Sequence, residues 1–342
     1  MKTSWLQLFL IVILVMFMGC GREASLENSR RTSPRHVEIK GEPGKFELQV
    51  DQKPYFIRGA GFGGALEARE PAVRLAKQMG FNSLRMWGQE DVTLAGLDMA
   101  EKYGMSVVPA WWMSHDKKDD PIGRNYADEN QNAVEIKEIL EWVRSLKDHP
   151  AVLMWGIGNE AYHFGGQGED YCKHLEKVCQ AIKQADPHHP IMCVDVGTSA
   201  IRDLAAHTPS LDIYGCNTYS GWGSLQWDQR DVNKIMKRPV IFSEFGPPLP
   251  SKDSVVNFKS HAQAWGDAWK RGIVPGKGQN LGGYFFTFQG SAPDDTYFGI
   301  CDYDLTPKPI IHQVVKNALA FSTAGENVRI AQEGDGFQLE IN

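Results

Sequence analysis

Two glutamates carry the chemistry this chain could perform. Glu160 closes the run Ala151-Val-Leu-Met-Trp-Gly-Ile-Gly-Asn-Glu160, and Glu244 closes Val240-Ile-Phe-Ser-Glu244, shortly before a glycine and two prolines. Apolar runs of this length, framed by turn residues, read as strands buried on both faces. His149-Pro150 marks the start of the first, because a residue before proline is pushed out of helix. A lone glutamate at a strand end is ordinarily a surface residue opening a loop. Two of them, at the mouths of two strands of one repeating unit, make a different pattern. Cleavage of a glycosidic bond uses such a pair, one carboxylic acid to protonate the leaving oxygen and one carboxylate to attack or to activate water.

The elements that must position this pair alternate along the chain. Val37 to Val50 reads as a hairpin around Gly41–Gly44. Core strands are expected at Tyr55–Gly61, Phe81–Trp87, Ser106–Trp112, the run ending at Glu160, Pro190–Val196, Leu211–Asn217, Val240–Ser243 and Gly282–Phe288. Amphipathic stretches lie between them: Ile136, Ile139, Leu140 and Val143 recur at helical spacing, as do Tyr171, Leu175, Val178 and Ile182. Eight strands alternating with helices predict an α/β fold, a (β/α)8 barrel, with the N-terminal hairpin and a short C-terminal β extension at Val328–Ile341. A doubly wound open sheet would alternate too, but no glycine-rich phosphate loop opens a helix after the first strand.

Composition bounds the partners. Of 342 residues, 42% are hydrophobic and 23% charged, ordinary for a globular protein, and the net charge of −6 has no basic stripe to hold nucleic acid. Residues 1–19 read as a targeting segment: Lys2, then an almost wholly apolar Trp5–Met18, then Gly19-Cys20, too short to span a bilayer comfortably. The segment resembles a bacterial lipoprotein signal, which implies lipidation of Cys20 and an extracytoplasmic protein anchored to a membrane. Residues 20–35 are polar and read as a tether. The expected division is therefore signal 1–19, tether 20–35, barrel 36–322 and β extension 323–342. Five further cysteines give no complete disulfide framework, and no His-x-His or clustered-carboxylate motif calls for a metal or cofactor. Oligomeric state is not legible.

Several stretches then carry a resemblance. HPAVLMWGIGNE resembles the acid/base motif of glycoside hydrolase family 2, and VIFSEFG the nucleophile strand of the wider clan A, which includes families 2 and 5. KPYFIRGAGF, GFNSLRMW, DIYGCNTYSGW and FGICDYDLTPKP match in the same order, over roughly Phe46 to Phe321. The resemblance implies a retaining β-glycosidase acting on an oligo- or polysaccharide. Glu160 would be the acid/base and Glu244 the nucleophile. Asn159 would bond the sugar 2-hydroxyl, Arg85 would hold Glu244 ionised, and Tyr219 would hydrogen-bond it. Asn217, in the strand-six motif, is a further binding candidate. Trp87, Trp112 and Trp222 are candidate sugar platforms, with His115 and His163 on loops of the same face. Clan members usually end strand eight in a Trp; here Tyr284-Phe-Phe-Thr-Phe-Gln289 offers Phe288 or Phe286 instead. Family 2 barrels usually follow β-sandwich domains, and without them an open groove, endo action or β-glucan transglycosylation is expected.

Bland roles compete for each residue: a structural ion pair for Arg85, a core layer for Tyr219, core filling for most tryptophans. Two other classes compete for the whole. One is a non-catalytic carbohydrate-binding surface lipoprotein, motivated by the missing strand-eight Trp. The other is a metal-dependent barrel hydrolase, for which no ligand motif speaks.

Overall fold

The computed structural model describes residues 34–115, 124–165, 168–248, 257–292, 297–323, 328–333 and 336–341. The expected signal, Cys20, the expected tether up to residue 33 and residues 116–123 of the long loop after the third strand lie outside them. Parallel strands β4 (Ile57–Gly61), β5 (Ser83–Arg85), β6 (Ser106–Val108), β7 (Ala110–Trp111), β8 (Trp155–Asn159), β9 (Ile191–Val196), β10 (Ile213–Thr218), β11 (Val240–Phe245) and β12 (Asn280–Phe285) form one sheet. The order β6-β5-β4-β12-β11-β10-β9-β8-β7 returns on itself, and a parallel bridge from Val107 to Val152 closes the ring. This is a (β/α)8 barrel. The third strand, expected to be unbroken, is split into β6 and β7 at Pro109, which has no N–H to give the ladder. The freed carbonyl of Pro109 accepts from Gly156 N–H at 2.9 Å, so β8 still seats against it.

Two hydrophobic cores result from strands buried on both faces. The outer one lies between strands and helices. In the amphipathic helix Gly168–Ala185, Tyr171, Leu175, Val178 and Ile182 are all buried against the sheet. The inner core holds Ile57, Val108, Leu153, Met192, Ile213, Ile241 and Leu281 together with Val37, Phe46, Leu48 and Val50. Those last four come from an antiparallel N-terminal sheet, β1 (Val37–Lys40), β2 (Glu47–Val50) and β3 (Lys53–Pro54). It plugs the end of the barrel where the strands begin, and backbone bonds from Val37 N–H to His188 and from Phe46 N–H to Gly278 fasten it there. Among the described residues no such sheet covers the opposite end, where Glu160 and Glu244 sit. The C-terminal segments β13 (Val328–Glu333) and β14 (Gly336–Ile341) pair as an antiparallel hairpin.

The expected strand eight ran to Phe288. The observed β12 stops at Phe285, so the period of two does not continue beyond it. Phe286 stays on the open end, whereas Phe288 turns into the outer core, fully buried and stacked on Phe62 at 5.1 Å. Phe288 is therefore not a sugar contact.

The plug should matter to stability and not to chemistry. Leu48→Ala removes a fully buried side chain far from the glutamates, and is expected to lower stability by about 3 kcal/mol, in the usual range for such truncations. Denaturant unfolding, with any turnover measured alongside, checks this: stability should fall while turnover by the folded protein is unchanged.

Candidate active site

Glu244, at the end of β11, is almost completely buried, and three donors converge on its carboxylate. Arg85 Nη1 donates to Oε1 at 2.7 Å, Trp87 Nε1 to the same oxygen at 2.8 Å, and Tyr219 Oη to Oε2 at 2.6 Å. Arg85 ends β5 and is 1% exposed, so the barrel interior has taken up a full ion pair. Its second arm, Nη2, donates to Asn159 Oδ1 at 2.7 Å. Burial beside the Glu244 carboxylate drives the Tyr219 phenol far above its ordinary pKa, so it remains a donor.

Glu160 is held differently. The register between β8 and β9 shifts after Ile157, and Gly158 takes φ +74, where a Cβ would fall 2.8 Å from the Tyr171 hydroxyl. Glu160 itself adopts φ +59, a left-handed conformation that a non-glycine residue rarely takes. The turn is fixed from behind by buried Asp195, whose carboxylate accepts from the N–H groups of Tyr162 and Val196 and from Ser199 Oγ. Among the described residues one side-chain bond reaches Glu160, from Asn217 Nδ2 at 2.8 Å. Asn217 stands opposite Glu244 in the β10–β11 ladder, and its Oδ1 accepts from Ser243 Oγ at 2.7 Å. A continuous chain thus joins the two carboxylates: Glu244, Arg85, Asn159, Asn217, Glu160. Asn159 Oδ1 is used by both Arg85 and Asn217, while its Nδ2 has no partner among the described residues and is left to donate outward.

The environments divide the pair. Burial raises the Glu160 pKa above the ordinary glutamate value. The charges of Glu244 and Asp195 push the same way, against the Asn217 bond and Arg85. Glu160 thus has a reason to keep its proton at a pH where carboxyls are normally ionised. Glu244 accepts on both oxygens, one bond being from a cation.

The other expected residues fall into three places. Trp87 lies at the centre, but through its indole N–H on Glu244 rather than only as a flat face. Trp112, 40% exposed, tilts over His115 at 4.9 Å, and His115 stacks on Phe164 at 5.9 Å. His163 meets the edge of Phe164 at 4.6 Å. His115 Nε2 lies 2.6 Å from the Asn159 carbonyl, so this exposed aromatic shelf begins beside Glu160. Trp222 is not brought to the glutamates by any described contact; its ring lies under the Arg271 guanidinium at 3.9 Å, by His261 and Tyr297. Sequence reasoning missed Ser243, Asp195 and Phe164. An aspartate inside the apolar run Ile191–Val196 was the one signal available.

One described trio, Asp98, Glu101 and His149, is close enough to share a cation. His149 does not suit the role. Its Nδ1 accepts from Ala151 N–H at 3.1 Å, so Nε2 carries the proton and donates towards Asp98.

The profile of the glycosyl hydrolases family 2 TIM barrel domain matches residues 59–264. The chain belongs to glycosyl hydrolase family 2. Among curated family 2 relatives, β-glucuronidase of Chlorocebus aethiops is 28% identical over 223 residues, 61% of this chain and 32% of that one. β-Glucuronidase of Paenibacillus borealis is 25% identical over 205 residues, 56% and 33% of the two chains. The chain therefore spans about a third of the length of the curated relatives it matches. Two solved structures share the fold. The β-galacturonidase of Eisenbergiella tayi bound to galacturonate has TM-score 0.62 at 17% identity, covering 84% of this chain and 54% of that one. The β-glucuronidase of Bacteroides uniformis has TM-score 0.64 at 18% identity, covering 86% and 38%.

The coupling of the two carboxyls has a measurable sign. In Glu244→Gln, a neutral amide replaces one charge that pushes Glu160 up, so Glu160 is expected to titrate at lower pH than in the wild type. Carbon-detected NMR of labelled glutamate reads this, and an unchanged midpoint would contradict the coupling. Stability follows by linkage. Glu160 has a folded pKa above its unfolded one, so its favourable contribution is complete below the unfolded value and is lost as pH rises through the folded value. Glu160→Gln should match the wild type in acid melts and exceed it at neutral pH.

Proposed function

We propose that the protein is a retaining β-glycosidase that hydrolyses O-glycosyl bonds of an oligo- or polysaccharide. The observation that carries this reading is the unequal treatment of two strand-end glutamates, one given three donors and the other buried with its proton favoured. In the first step Glu244 attacks the anomeric carbon while Glu160 gives its proton to the departing oxygen, leaving a glycosyl ester on Glu244. That ester carries no charge, so one of the influences raising the Glu160 pKa disappears. Glu160 is then suited to take a proton from water, which attacks the anomeric carbon and frees Glu244. Asn159, whose Nδ2 has no partner among the described residues, would donate to the sugar 2-hydroxyl. Family membership supports the same reaction class, and relatives named β-glucuronidase and β-galacturonidase make uronides the first substrates to try. We also infer that Cys20 is lipidated and holds the protein to a membrane outside the cytoplasm. Labelling with radioactive palmitate should mark the wild type and spare Cys20→Ala.

Turnover of aryl β-glycosides by the wild type, Glu160→Gln and Glu244→Gln tests the mechanism. Both variants should lose at least ~100-fold, the low end for a missing acid/base group. Proton NMR of early product should show the β-anomer first. Activity unchanged in both variants, or an α-anomer as first product, would sink the reading, and sugar transfer to an acceptor would mark transglycosylation.

A further inference from the structure

A cavity of about 450 Å³ opens beside the nucleophile, between the end of β4 and the segment that follows β12. Trp87 and Phe286 are two of its walls. The same Trp87 donates to Glu244, and the Phe286 ring meets both Trp87 and Tyr219 edge-on at 5.7 and 5.8 Å. The cavity therefore adjoins the glutamate that would receive the sugar. Its remaining walls are largely Gly61–Gly64 backbone, Thr287 and Gln289, with a single cation, Arg69.

Arg69 is held by one arm of its guanidinium. Nη1 donates to Gln289 Oε1 at 3.2 Å, and Gln289 is itself held through Nε2 by the Tyr303 carbonyl. The guanidinium lies against Gly64, at φ +74, where a Cβ would stand 2.7 Å from Nη2; any side chain there would displace it. Among the described residues no carboxylate comes within ion-pair distance of Arg69. Asp91 feels its charge but does not touch it. The contrast with Arg85, which spends its donors on Glu244 and Asn159, is plain. A guanidinium has five N–H groups in a planar fork that fits a carboxylate or sulfate oxygen pair. Here most of the fork is unused, in a pocket with aromatic walls of the kind that pack on sugar rings.

We propose that this cavity binds a sugar unit on the nucleophile side of the scissile bond, and that Arg69 selects for an anionic substituent on that unit. The proposal rests on the glycosidase reading above for the direction of the sugar. A uronic carboxylate and a sulfate ester would present the same chemistry to the fork.

Binding can be measured without turnover, which separates this proposal from the catalytic one. Hydrolysis-resistant phenyl 1-thio-β-glycosides would be titrated calorimetrically into the full-length wild type and Arg69→Gln. Neutral, uronate and 6-sulfated forms would be used, in gluco and galacto series. At least one anionic form should bind about 10-fold or more tightly than its neutral counterpart, a factor ordinary for one charge-assisted pair. In Arg69→Gln that ratio should collapse to about one, and in Arg69→Lys part of it should return. Comparing uronate with sulfate identifies which anion is read. Equal affinity for anionic and neutral forms, a preference that survives Arg69→Gln, or no binding of any form would overturn the proposal. If the wild type binds uronide in this manner but cleaves nothing, the glycosidase reading fails and the anionic subsite stands.

Discussion

The buried ion pair between Arg85 and Glu244 is the constraint to which the rest of the site conforms. An arginine 1% exposed and a glutamate 5% exposed have given up most of their hydration, and such a loss is tolerated only with close geometry and further hydrogen bonds. The structure supplies both. The 2.7 Å contact is backed by Trp87 and Tyr219 on the carboxylate and by Asn159 and the Ser243 carbonyl on the guanidinium. Each partner comes from the end of a different barrel strand or the residues just after it. Their positions are correct only if β5, β8, β10 and β11 are in register, so the closed barrel is what makes the pair possible. A pair isolated on a loop would have neither the burial nor the fixed partners.

The same network explains how two identical side chains can be given opposite work. Glu244 is surrounded by donors. Glu160 receives one neutral amide bond and faces two carboxylates, Glu244 and Asp195, from a half-buried position. The strained φ of Glu160 belongs to this arrangement, because Asp195 and the Val194 carbonyl clamp the turn from both sides. Burial in this position is the largest of the influences that raise the Glu160 pKa.

Much of this was legible in the chain. Apolar runs ending in a carboxylate located Glu160 and Glu244, because burial on both faces leaves a strand no other kind of sequence. The hairpin was legible as alternation, and its role as a plug was not, since alternation says that a face is buried and not what covers it. Phe288 was taken as a stand-in for the strand-eight Trp, at the end of a strand that stops at Phe285, and strand ends are set by hydrogen-bond partners that the sequence does not display. Trp87 was legible as an aromatic near the site, yet its indole N–H on Glu244 depends on how two non-adjacent strand ends converge. Trp222 was assigned to the site by being on the right loop; its stacking on Arg271 comes from a distant part of the chain. Asp195 and Arg69 act through tertiary neighbours alone, so spacing gave no reason to choose them.

The two aromatic features at the open end are not equivalent, and their placement relative to the carboxylates gives the site a direction. Trp87 and Phe286 line the cavity beside Glu244, with Arg69 at hand. Trp112, His115 and Phe164 stand beside Glu160 as an exposed aromatic shelf. On the proposed mechanism the group protonated by Glu160 departs over the shelf, while the sugar bonded to Glu244 remains by the cavity. A charged pocket discriminates by leaving polar groups unpaired when the wrong ligand enters. That discrimination falls on the retained sugar.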